Sequence, residues 1–151
     1  MSAEENLKKL NINLPEAPEP VGAYVASKIV GNMVFISGQL PLDVGGKLIK
    51  GKVGKELNLE QAQQAAKICA INLLSQVKKI CGSLDKVKAC IKITGYVNSI
   101  DTFTDQPKVI NGASDLISSI FGEKGKHTRA AVSVNSLPLG AAVEVEGIFE
   151  I

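Results

Sequence analysis

The spacing of apolar residues divides the chain into stretches of two periods. Leu59, Ala62, Ala65, Ala66, Cys69, Leu73, Val77 and Ile80 recur at helical spacing. That period belongs to a helix with one face turned inward. Asn58 stands just before it and Gln61 lies three residues on, so their side chains can close the free amides of the first turn. Gly82 ends the helix. A second helix is expected with Pro107 in its first turn, where the missing amide costs nothing, and with Gly122 at its end. Between the helices, VKACIKITGYVN at residues 87–98 alternates as a strand does. Earlier, residues 24–30 and 32–37 read as a hairpin about Gly31-Asn32. Later, HTRAAVSV and AAVEVEGIFEI are rich in β-branched residues and flank NSLPLG, which predicts two more strands.

The rest is lead-in and punctuation. Residues 1–21 are polar, with Pro15, Pro18 and Pro20, and their LKKL segment reads as a short helix. Pro41, Asp43, Gly45 and Gly46 mark a loop, and KLIKGKV after it reads as a short strand. The order is ββ(β)αβαββ, an α+β arrangement with both main helices on one face of the sheet. A chain of 151 residues suits a single domain, expected at residues 22–151 after the lead-in.

Composition narrows the function classes. Hydrophobic residues make up 45%, enough for a real core. The formal charge is +2 with both signs mixed along the chain, and aromatics are only 4% with no Trp. Nucleic acid is therefore not the expected partner, since its binders cluster basic residues and stack bases on aromatics. MSAEENLKKL lacks the basic start and apolar core of a signal peptide. No apolar run approaches the ~18 residues needed to span a bilayer. A cytoplasmic location without membrane attachment is expected. Cys69, Cys81 and Cys90 are odd in number and form no C-x-x-C pair, so reduced, buried thiols are expected. The single histidine, His127, excludes a His-based metal cluster, and neither metal nor cofactor is expected.

Candidate chemistry lies in the last two strands. Arg129 opens the first, and Glu144 sits within the second beside Val143 and Val145. Alternation puts Glu144 and Glu146 on one face and the valines on the other. A guanidinium grips a carboxylate or phosphate in a fork. A carboxylate among valines can orient a water or move a proton. On neighbouring strands, the pair would hold an anionic substrate and hydrolyse it. The same two residues also fit a cross-strand ion pair, an ordinary stabilising device.

The wider pattern resembles the Rid family, the YjgF-like reactive intermediate (enamine/imine) deaminases, also known as L-PSP-type endoribonucleases. The segments that carry the resemblance are GAY at Gly22–Tyr24, GNMVFISGQLPLD at Gly31–Asp43, Asn111, and R-A-A-V-x-V…LP…VEVE from Arg129 to Glu146. The resemblance implies a chorismate-mutase-like fold with a mixed sheet. It also implies a homotrimer whose sheets form a central barrel, with a site in each cleft between subunits. Carried over by position, Arg129 grips the substrate carboxylate and Glu144 orients the attacking water. Tyr24 lines the pocket from a neighbouring chain, Ser37 and Gly38 close it, and Asn111 contributes from the second helix. Family deaminases usually have Cys where this chain has Ala131, and Pro-Ala where it has His127-Thr128. Ala131 would still supply backbone groups, without the thiol. The implied reaction is hydrolysis of a 2-imino acid, a small carboxylate, to the 2-oxo acid and ammonia. Two alternatives accompany it: a non-catalytic binder of small carboxylates, and an endoribonuclease or translation inhibitor. The weakly basic character and the lack of a catalytic His motif speak against the latter.

Overall fold

The expected cap at Asn58 is formed in both directions. Its side chain accepts the Gln61 amide at 2.9 Å, and Gln61 accepts the Asn58 amide at 2.9 Å. The helix runs Leu59–Cys81 (α2) and closes at Gly82, whose φ of 85° is left-handed and suits glycine. The computed structural model describes residues 1–151. Its other elements are α1 (Ala3–Lys9), β1 (Ser27–Val30), β2 (Met33–Gln39), β3 (Ala89–Asn98), α3 (Gln106–Phe121), β4 (Thr128–Val134) and β5 (Val143–Glu150). This is the α+β, chorismate-mutase-like architecture the sequence implied, with three helices and one mixed sheet.

The strand order is β1-β2-β5-β3-β4. All pairs are antiparallel except β3–β4, which are parallel and joined by α3. A parallel pair needs such a crossover. Burial alternates along β5: Val143, Val145, Gly147 and Phe149 are buried, while Glu144, Glu146, Ile148 and Glu150 are only half-buried. The first set packs under α2 and α3. The second set lies on the face that no helix covers. Helices α2 and α3 approach so closely that a methyl on Gly112 would overlap the Gln63 carbonyl oxygen. No helix is long and apolar enough to cross a membrane.

Helix α1 is part of this core. Ala3 and Leu7 are buried. Glu4 accepts from Lys78 Nζ at 2.8 Å, the Leu84 amide at 3.0 Å and Ser83 Oγ at 3.4 Å. Burial pushes the Glu4 carboxyl up, but Lys78 and these hydrogen bonds outweigh it and hold the group below its ordinary range.

Two expectations need correction. KLIKGKV forms only isolated bridges, such as Leu42–Leu48 and Lys50–Ala141, and no strand. Gly51, with φ of 122°, breaks the extended run from within, and Gly54, with φ of 94°, turns the chain just after it. The last two strands are not neighbours either. The β3–α3–β4 crossover already lays β4 against β3, and β5 pairs along the other edge of β3. The NSLPLG segment spans that gap, turning at Leu139 with φ 59°.

Candidate active site

The sheet register separates Arg129 from Glu144. Arg129 is level with Ile93, which is buried under the helices, and Ile93 is level with Gly147. Aligned neighbours share a face, so Arg129 points to the helix side. Glu144 is level with Tyr96 and lies on the open side. One strand and the thickness of the sheet stand between them. The cross-strand ion pair is accordingly absent. The ion pairs of the chain are Lys78–Glu4, Lys79–Glu19, Lys108–Asp105 and Lys126–Glu123.

Helix α3 holds the guanidinium. Arg129 Nη1 donates to Asn111 Oδ1 at 2.8 Å and to Ser114 Oγ at 3.2 Å, and Nη2 donates to Pro107 O at 3.4 Å. Asn111 and Ser114 are one turn apart and share a face of α3. Ser114 Oγ also lies 2.9 Å from His127 Nε2, and His127 Nδ1 lies 2.7 Å from Gly125 O. A carbonyl only accepts, so Nδ1 carries the hydrogen. In the neutral ring Nε2 then accepts from the Ser114 hydroxyl, whose lone pairs stay turned to Arg129. Nε donates to no protein group and Nη2 makes only the long bond to Pro107 O, so that edge of the fork remains open to an anion. Ala131 follows on the same side of β4 and packs against the core.

The acid lies in the other half, with a different set of residues. Between Ile36–Gly147 and Gln39–Val145 the β2–β5 register slips, so Ser37 and Gly38 together face the single residue Glu146. Such bulges re-aim side chains. Ser37 Oγ donates to Val25 O at 2.7 Å. Gly38 leaves room for Glu144: a methyl there would lie 2.5 Å from Glu144 Oε1. Burial raises the Glu144 carboxyl above its ordinary value, and the Glu146 charge raises it further. Glu146 itself accepts from Tyr96 OH at 2.8 Å, a bond that pushes the Tyr96 phenol up. Tyr24 and Ser37 line two adjoining cavities, one of about 580 Å³ over the open sheet and one of about 670 Å³ toward the lead-in.

The expected site residues thus form two groups. Gly38 packs against Glu144, and Tyr24 and Ser37 line the cavities that adjoin Gly38 and Glu146 near β2 and β5. Arg129, Asn111 and Ala131 meet at β4 and α3. From β2 to β4 is three strand spacings, roughly 14 Å at ~4.8 Å each. The sequence reading missed Ser114, His127 and Tyr96. The three-residue spacing of Asn111 and Ser114 was the available signal for the first. His127 and Tyr96 carried none, since they depend on which strands and helix meet.

The fold and the two groups define an α+β protein of the chorismate-mutase-like type with a carboxylate on its open sheet face and a tethered guanidinium at its edge. A family model described as "YjgF/chorismate mutase-like, putative endoribonuclease" matches residues 4–150, and the chain belongs to that family. It is 45% identical over 147 residues to protein TCP17 of Trypanosoma cruzi, covering 97% of this chain and 92% of that one. It is 29% identical over 138 residues to a 2-iminobutanoate/2-iminopropanoate deaminase of Dermatophagoides farinae, covering 91% and 92%. Among solved structures, the protein Atu1372 of Agrobacterium tumefaciens, of unknown function, superposes with a TM-score of 0.91 at 45% identity, covering 99% and 92%.

Proposed function

We propose that the protein hydrolyses reactive 2-imino acids to 2-oxo acids and ammonia, in a site closed between copies of the chain. The observation that carries this reading is the division just described. An unpaired guanidinium is held ready at one edge, and a carboxylate with a raised pKa is held at a bulge on the other face. Neither group has its chemical counterpart within the chain. A head-to-tail contact that sets the β4 edge of one copy against the β2–β5 bulge of the next supplies both, and repeated contacts of this kind close a ring. A homotrimer is the assembly proposed. The named activity of the D. farinae relative supports the chemistry.

In this site Arg129 takes the substrate carboxylate in its fork and fixes the imine near Glu144, turning an encounter into a positioned reaction. The imine carbon is already electrophilic. Glu144 accepts a proton from a water as the water oxygen bonds to that carbon and the C=N π pair moves to nitrogen. The proton passes to the nitrogen, the C–N bond breaks, and ammonia leaves as the hydroxyl gives up its proton to become the 2-oxo group. No lower-energy electrophile has to be created, so activity should survive chelators.

The test couples a threonine dehydratase, which releases 2-iminobutanoate, to 2-oxobutanoate formation with a trap for free imine. The expected result is faster 2-oxobutanoate release on adding the protein. Carboxylate binding without acceleration would replace the enzyme by a binder.

A further inference from the structure

We infer that the preferred substrates are 2-imino acids with large apolar side chains, of the leucine or phenylalanine type. This rests on the deaminase reading, because the same corner of the protein is used. The cavity of about 670 Å³ is lined at one corner by Tyr24, Ser37 and Gly38, and Gly38 packs against Glu144. Beyond that corner Leu40, Leu42 and Leu48 give it an apolar side, with Val21 and Leu139 at its solvent-exposed rim. Its volume lies within the ~300–1,000 Å³ usual for small-molecule sites. An imine with a methyl or ethyl side chain would leave most of that wall without partner atoms.

The wall is also built in advance. Asn72 and Gln76 of α2 are 2% and 1% exposed. Buried amides must be hydrogen-bonded, and here both spend their donors on loop backbone. Asn72 Nδ2 donates to Leu40 O at 3.0 Å and to Leu42 O at 2.9 Å. Gln76 Nε2 donates to Pro18 O at 2.7 Å. Loop 40–42 and the lead-in at Pro18 are thereby tied to the helix that supports the sheet, which holds Leu40 and Leu42 close to Gly38. Lys47, Lys50 and Glu19 also line the cavity, and Glu19 is paired with Lys79, so the glutamate-derived imine belongs in the test as the probe of whether the two lysines select an acidic side chain.

The test is a panel of 2-imino acids made in place by an amino-acid oxidase with dioxygen, from alanine, 2-aminobutyrate, glutamate, leucine and phenylalanine. The expected kcat/KM for the leucine- and phenylalanine-derived imines exceeds that for the alanine-derived imine by about tenfold or more. Leu42→Trp, which fills the cavity, should lower that ratio by about tenfold, and Leu48→Trp repeats the measurement from another wall. Turnover that is equal for all sizes, or greatest for the small or acidic imines, overturns the inference and leaves the deaminase reading standing. No acceleration with any member of the panel overturns the deaminase reading itself. A second copy's side chain filling the cavity would appear as a preference for the small imines.

Discussion

Glu144 is pressed from two sides: burial disfavours its charge, and so does Glu146. A base must be ionised to take a proton, so activity should rise with pH through a value above the ordinary 4.5 of a glutamate. Glu146→Gln removes one of the two pressures. Glu144 then ionises more easily, and the acidic limb of the kcat/KM profile should move to lower pH while turnover at neutral pH persists. Glu144→Gln should instead cut turnover by roughly 10² or more with little loss of 2-oxo acid binding. Equal losses for the two variants would assign the effect to charge alone. Gly38→Ala probes the same carboxylate by space. Its added methyl would stand 2.5 Å from Oε1, so Glu144 must move, and turnover should fall while a crystal structure shows the displaced side chain. Arg129→Ala should leave the chain folded, because the residue closes no ion pair. It should cost about 2–4 kcal/mol of carboxylate binding. Arg129→Lys should recover little of it, since an ammonium offers no fork. Loss of fold in Arg129→Ala would make the residue structural.

At the scale of elements, α1 depends on a single acid. The Glu4 carboxyl is held below 4.5 in the folded chain, so the unfolded chain takes up its proton first as pH falls. The resulting stability is present above about pH 4.5 and lost as pH drops through the folded value. Glu4→Gln should lower stability near pH 7 by about 1 kcal/mol, since the Lys78 pair is partly solvated. The gap between variant and parent in thermal melts should close in acid. A gap independent of pH would trace the loss to packing. Elements with strong local signals were legible in the sequence. The Asn58–Gln61 box and Gly82 bounded α2, Pro107 and Gly122 bounded α3, and alternation marked β3 and β5. The position of β4 was not legible, because strand adjacency depends on the α3 crossover and not on the β-branched run itself. For the same reason Arg129 and Glu144 could be named but not set on opposite faces. The Ser114–His127 support of Arg129 joins residues from α3 and the start of β4, and no periodicity reports such a contact.

For the whole molecule, the division of the site makes a prediction that no single-chain site could meet. Light scattering should give three times the 15.9 kDa chain. Arg129→Ala and Glu144→Gln, each inactive alone, should regain activity when unfolded and refolded together. In a mixed ring of three, one junction unites an intact Arg129 with an intact Glu144, so equal mixing should restore about a quarter of the parent rate. No recovery in mixed rings would confine the chemistry to one chain. The opposite-face arrangement of Arg129 and Glu144 also bears on how activity responds to dilution. A lone copy would keep its fold yet hold only half of the reacting groups. Specific activity would then follow mass action: it would fall once the protein is diluted below the dissociation constant of the ring and return on concentration. Abundance would set the rate per molecule as well as the number of molecules.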